Sequence, residues 1–180
     1  MDYQEMSKEI SYALRHAPWK YELELDDEGW VPVDQLLTAL HQSKEWENIT
    51  QADIEQMILI SEKKRHELSN GKIRALYGHS VPMKIIKKKA IPPRKLYHGT
   101  SPKFMESINE FGLLPMSRQY VHLSEDIETA KLVGKRKTPV PVIIIIDTEE
   151  AQKKGIKFYL GNEKVWLSDS IPIEFISIKK

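Results

Sequence analysis

Four short segments of this chain combine cationic side chains with glycine or small hydroxyl residues: LRHAP (14–18), IRALYGHS (73–80), LYHGTS (96–101) and MSRQYVHLS (116–124). In the first, Arg15 and His16 stand side by side before a proline. An arginine fork matches the geometry of a phosphate, and an adjacent histidine adds a donor. The same pair at a helix end would also offset the negative end of the helix dipole, worth about 0.3–1 kcal/mol. In the second, Lys72 and Arg74 share one face of a strand, either solvated or anion-binding, and Gly78 allows a bend before His79 and Ser80. Alone, His79 reads as structural.

In the third segment a strand ends at His98, Gly99 lets backbone approach a ligand, and Thr100 and Ser101 present hydroxyls. That set suits a ribose and amide groups, although a tight turn with a satisfied histidine has the same composition. The fourth puts Arg118, Tyr120, His122 and Ser124 on alternate positions of an extended segment. They would point to one side of a sheet, as a ligand face or simply a wet one.

The candidate chemistry is therefore cationic and suited to phosphate esters. No two histidines have metal-ligand spacing, so no metal site is expected. The acidic pairs Asp26-Asp27 and Glu149-Glu150 sit in turn-like contexts and read as solvated. The absence of cysteine removes thiolate catalysis, disulfides, iron–sulfur clusters and cysteine-based zinc sites. There is no GxGxxG fingerprint, so a dinucleotide would not bind in Rossmann fashion.

The elements that must position these groups fall into two halves. Residues 3–16 read as an amphipathic helix with Met6, Ile10, Ala13 and Leu14 on one face, stopped by Pro18. A turn and a short extended piece follow at 26–33, then a helix with Asp34 as its cap and another with Thr50 as N-cap. Asn70-Gly71 between extended segments signals a hairpin. Three helices and a hairpin outline a winged-helix-like lobe, placed at 1–82. Residues 83–93, rich in proline and lysine, read as a linker with solvated lysines. In 94–180, strands are expected at KLYHGT, YVHLS, PVPVIIIIDT, KFYLG, VWLSD and IEFISIK, with helices at SPKFMESINEFG and DIETAKLVGKR. The fold class is α+β, with short mixed or antiparallel sheets.

With 180 residues, 41% of them apolar and 29% charged, the chain has room for one or two small cores. A net charge of +1 is too balanced for a general nucleic-acid coat, so a polyanion site needs local clustering, as in KKRH at 63–66 and KRK at 135–137. The longest apolar run, VPVIIII, is too short to span a bilayer, and the polar N-terminus is no signal peptide. A cytoplasmic monomer is the expectation, with no membrane partner.

Taken in order, LRHAP, DDEGWVPVDQLL, SEKKRHEL, IRALYGHSV, LYHGTS, GLLPMSRQYVHLS, TAKLVGKR and VWLSDSIP resemble the RNA 2′-phosphotransferase family, the tRNA 2′-phosphotransferases of the splicing type. The resemblance spans residues 7 to 176. It implies an N-terminal winged-helix-like lobe that binds RNA and a C-terminal ADP-ribosyltransferase-like lobe that binds NAD+, consumed as a co-substrate. The implied reaction removes a 2′-phosphate from RNA through an ADP-ribosylated 2′-phosphate. It releases nicotinamide and ADP-ribose 1″,2″-cyclic phosphate.

By the same resemblance Arg15, His16, Arg74 and Arg118 are the catalytic set. His98, Gly99, Thr100, His122, Ser124 and Val165 are implied on the NAD+ side, together with Ser107, Asn109 and Gly112. Val165 stands where many other transferases of that fold carry a glutamate. Lys64, Arg65, Lys72, His79 and Ser80 are implied RNA contacts. The chain departs from the usual family pattern at Glu62, His66, Tyr77 and Tyr120 and after the basic pair of VGKRKTP, but at no catalytic position. Two alternatives remain. One is an ADP-ribosyltransferase acting on terminal phosphates of nucleic acid. The other is a winged-helix regulator, which the acidic Asp53 and Glu55 of its would-be recognition helix disfavour.

Overall fold

The computed structural model describes residues 1–81 and 84–179. Pro82 and Met83, where the first lobe was expected to end and the linker to begin, lie outside the described residues, as does Lys180. The chain divides into two compact units, Met1–Ile86 and Lys87–Lys180.

The first unit opens with α1 (Tyr3–Arg15), which starts where the Asp2 carboxylate accepts from the backbone N–H groups of Gln4 and Glu5 at 3.1 and 3.0 Å. It ends at His16, whose N–H still donates to the Tyr12 carbonyl, before Pro18 begins a 3-10 turn. The strand β1 (Val31–Pro32) runs straight into α2 (Val33–Leu40). Asp34 is therefore inside the first turn and is not the cap as expected. The N–H of Val33 donates to the Gly71 carbonyl, which fixes the helix start earlier. Thr50 does stand at the N-cap of α3 (Gln51–Ile60), where the Asp53 carboxylate accepts from its N–H at 2.8 Å.

Strands β2 (His66–Ser69) and β3 (Lys72–Ala75) form the expected hairpin. Asn70 and Gly71 take φ of 51° and 72°, the positive pair that a two-residue type I′ loop requires. The sheet order is β1-β3-β2, all antiparallel. Ile73 and Ala75 face a core that includes Met6, Ile10 and Leu14 of α1, Leu36, Ile54 and Met57. Lys72 and Arg74 thus lie on the opposite face of β3.

The second unit carries a six-stranded antiparallel sheet ordered β7-β8-β5-β4-β6-β9. Its strands are β4 (Lys95–Thr100), β5 (Val121–Ser124), β6 (Val142–Asp147), β7 (Phe158–Leu160), β8 (Val165–Ser168) and β9 (Ile176–Ile178). Helices α4 (Met105–Phe111), α5 (Ile127–Gly134) and α6 (Thr148–Lys153) complete it. Both units are mixed α and β, so the chain is an α+β protein with two antiparallel sheets.

Two expectations about exposure need correction. Arg118, Tyr120, His122 and Ser124 do not alternate along one strand as expected, because β5 begins only at Val121 and residues 116–120 form a turn and a bend. Tyr120 is buried with its ring 5.2 Å from that of Tyr159, and Ser124 is buried in a strand flanked on both sides by β4 and β8. In KIIKKK, Lys84, Lys88 and Lys89 are exposed but Lys87 is buried. That stretch is strapped down: Ile86 N–H donates to the Asp27 carbonyl in the first unit, and Ala90 N–H to the Phe158 carbonyl in the second.

Candidate functional site

In the first unit the end of α1 and the segment after β3 are tied together. The N–H of Ser80 donates to the Arg15 carbonyl at 2.9 Å, and the Ser80 hydroxyl lies 2.7 Å from Nδ1 of His16. The Arg15 guanidinium sits over the Tyr77 ring, 5.0 Å from its centroid. Gly78, at φ 86°, lets the chain turn past that arginine: a Cβ there would stand 3.4 Å from the Arg15 side chain. Two motifs far apart in sequence thus become one cationic corner, with Arg15 half-buried and His16 and Ser80 exposed.

Arg74 lies across the hairpin from Glu67. Its Nε and one terminal nitrogen each stand 2.8 Å from Glu67 Oε2, the other terminal nitrogen is 4.0 Å from Glu28 Oε1, and its guanidinium stacks 4.4 Å from the Trp30 ring centroid. This arginine has 19% of its side chain exposed. On the other hairpin strand His66 is buried, with Nε2 3.0 Å from the Ser11 hydroxyl. Burial, reinforced by the charges of Arg15 and Arg65, pushes its pKa down to about 3.

In the second unit β4 and β5 pair only at Tyr97 and Ser124, whereas β4 and β6 pair along six positions. Beyond that single pair a side chain replaces the ladder: His98 Nδ1 lies 2.8 Å from the His122 carbonyl. A carbonyl only accepts, so Nδ1 carries the proton and Nε2 is the acceptor. Burial lowers the His98 pKa, only partly countered by the bond to the His122 carbonyl, and the charges of Lys137 and Arg118 lower it further. The ring is therefore neutral near pH 7. The Arg118 guanidinium reaches the His122 ring. Thr100, Ser101 and Ser124 are buried hydroxyls, and Val165 opens β8 opposite Ser124.

Gly99 has a structural task. A Cβ there would stand 2.0 Å from the Ala130 carbonyl oxygen, so its bareness admits α5 onto β4. Gly112 caps α4 at φ 75°, where a Cβ would meet the Ile171 carbonyl at 2.2 Å. Ser107 and Asn109 are exposed on α4. Lys64 and Lys72 are exposed, and Arg65 is half-buried. His79 is only 3% exposed, beside Gly29.

The sequence reading missed the partners that hold Arg74. The signal was present: a two-residue loop at 70–71 pairs residue 67 with 74, placing Glu67 opposite the arginine. Tyr77 stood out only as a departure from a pattern, and the structure gives it the face on which Arg15 lies. Among the described residues, no group of three or more His, Asp or Glu is arranged to hold a metal ion, and no helix is long and apolar enough to cross a membrane.

Comparison with known proteins covers both units. The RNA 2′-phosphotransferase, Tpt1 / KptA family matches residues 2–170. A protein of Bacillus thuringiensis subsp. konkukian named "Probable RNA 2′-phosphotransferase" is 66% identical over 178 residues, 99% of this chain and 96% of its own length. Proteins of the same name from Acetivibrio thermocellus and Fusobacterium nucleatum are 58% and 43% identical. These cover 98% and 93% of this chain, and 97% and 93% of their own lengths. A match of that extent takes in the Arg15–Ser80 corner, the Arg74 clamp and the His98–His122 bridge together, and the chain belongs to the RNA 2′-phosphotransferase, Tpt1 / KptA family.

Proposed function

We propose that this chain is an NAD+-consuming RNA 2′-phosphotransferase that removes an internal 2′-phosphate from RNA, the first unit binding RNA and the second NAD+. The observation that carries this reading is the pre-built Arg15–His16 corner, with Tyr77 under the guanidinium and Ser80 on the imidazole. Cations fixed before the substrate arrives stabilise phosphoryl charge without reorganisation. Arg15, His16 and Arg74 bind the phosphate oxygens in this reading, Arg118 adds a further guanidinium, and Lys64, Arg65, Lys72 and Ser80 contact RNA.

NAD+ enters as a consumed substrate, and the donor set of the second unit suits it. The neutral His98 offers Nε2 as an acceptor for a ribose hydroxyl, and the buried hydroxyls of Thr100 and Ser124 belong to the same proposed NAD+ side. His122, Val165, Ser107 and Asn109 complete the proposed NAD+ side, while Gly99 and Gly112 serve it by setting the backbone. A 2′-phosphate oxygen bonds to the anomeric carbon of the nicotinamide ribose, and the carbon–nitrogen bond breaks to release nicotinamide. The neighbouring ribose hydroxyl then bonds to phosphorus and loses its proton. The bond from phosphorus to the RNA 2′-oxygen breaks, and that oxygen gains a proton. The products are RNA with a free 2′-OH and ADP-ribose 1″,2″-cyclic phosphate.

The test is to follow a 2′-phosphorylated RNA oligonucleotide with and without NAD+. Loss of the phosphate only when NAD+ is present is the expected result. Equal loss in its absence would make the protein a phosphatase and end this reading.

A further inference from the structure

A groove of about 640 Å³ runs along one face of α1 and is closed on its other side by residues 60–65. Its α1 wall is a helical stripe that includes Lys8, Ser11 and Tyr12 and reaches Arg15 and His16 at one end. Lys63 and Arg65 stand in the opposite wall, with Glu62 the lone carboxylate among the described lining residues. Lys8 reaches Glu5 at 2.6 Å, but that pair is exposed, 70% and 51% on the two side chains, and so is weakly held.

We propose that this groove is a track for single-stranded RNA, which takes the nucleotides on one side of the one that carries the 2′-phosphate. The proposal rests on the function proposed above and adds a subsite and its residues. The charge balance favours a phosphate backbone. The hydroxyl of Ser11 is fixed by the buried His66 at 3.0 Å, in reach of sugar 2′-hydroxyls, which distinguish RNA from DNA. Tyr12 is 39% exposed on the α1 wall, with Lys20 over its ring at 5.3 Å from the centroid, and the two set an aromatic ring and a further cation beside the track. The groove reaches the Arg15–His16 corner, so a strand seated in it delivers its next nucleotide to the proposed phosphate ligands. Lys8, Lys63, Ser11 and Tyr12 thereby become determinants of which RNA is processed.

The test compares a 2′-phosphorylated dinucleotide with oligonucleotides extended by four nucleotides on the 5′ or the 3′ side, using wild type and the Lys8→Ala/Lys63→Ala variant. Both lysines are exposed, so folding is not at stake. In wild type, extension on one side raises kcat/KM about tenfold or more. In the variant most of that gain disappears through KM, and the double-logarithmic salt dependence becomes shallower by about 1.4, at about 0.7 for each single-strand phosphate that a lysine no longer neutralises. Lys8→Arg/Lys63→Arg restores the gain. If extension gives no gain, or the alanine variant keeps it, the track is wrong while the phosphotransferase reading stands. If wild type processes none of the substrates, that reading fails, and binding of unphosphorylated RNA decides the track. Weaker binding by the alanine variant supports the track. Equal binding, or displacement of RNA by an acidic peptide of the same charge, overturns it.

Discussion

Glu67 and Arg74 face each other across a two-residue hairpin, and one oxygen of Glu67 lies 2.8 Å from both Nε and a terminal nitrogen of Arg74. With Trp30 beneath it, the arginine has its orientation set by its own unit. Glu67 is a positioning residue in this account. Glu67→Ala is expected to lower kcat on 2′-phosphorylated RNA about tenfold or more, because misplaced charge costs rate steeply. Glu67→Gln, which keeps an acceptor, should recover part of the loss. Steady-state kinetics check this, and an unchanged kcat in Glu67→Ala would show that the clamp only supports the fold.

Arg15 ends α1 and also stacks on Tyr77. Its helix-end and stacking roles are worth about 1–2 kcal/mol each, with Nε and one terminal nitrogen of the guanidinium buried. Its proposed role on the phosphate is worth more, about a hundredfold in rate or greater. Arg15→Ala should therefore nearly abolish turnover while the protein still folds, with a moderately lower urea midpoint. A large loss of stability with turnover retained would reverse that assignment.

His66 ties stability to pH. Its pKa falls from 6.5 to about 3 on folding because burial disfavours the charged ring. Between those values the unfolded chain binds a proton that the folded chain does not, so its contribution is complete above pH 6.5 and is lost as pH falls toward about 3. His98 is shifted in the same direction. Thermal unfolding from pH 7 to pH 4 should show a falling Tm, with a flatter profile in His66→Gln. A Tm that rises on acidification would contradict the buried neutral rings.

Gly99→Ala is predicted to destabilise the second unit by about 1–3 kcal/mol, the usual range for overpacking. The added carbon would stand 2.0 Å from the Ala130 carbonyl oxygen, so α5 would have to lift from β4. Chemical denaturation measures it. A variant of wild-type stability but weakened NAD+ affinity would shift the role of this glycine from packing to the ligand.

Local signals made much of this structure legible in the sequence. Asn70-Gly71 needed two positive φ angles and has them, Thr50 caps α3, and Gly112 ends α4. Those features depend on a few adjacent residues. What was not legible depends on neighbours distant in sequence. The alternation of Tyr120 and Ser124 with Arg118 and His122 suggested one shared face, ligand-binding or wet, but it does not reveal that Tyr120 lies before β5 against the Tyr159 ring or that both residues are buried. Lys87 read as solvated because a lysine run does not reveal which member the fold will bury. At the site, the Arg15–His16 pair was visible, but its joining to Tyr77 and Ser80 required residues more than sixty positions apart to meet. The α1 groove needed the same kind of closure, by residues 60–65.

The most direct test follows the phosphorus. An RNA oligonucleotide with a radiolabelled 2′-phosphate is incubated with the protein and NAD+, in buffer with EDTA, since in the proposed mechanism arginines supply the charge that metal ions supply elsewhere. The account predicts that the label leaves as ADP-ribose 1″,2″-cyclic phosphate, with one nicotinamide for each phosphate removed. Label recovered as inorganic phosphate, with NAD+ intact, would contradict it.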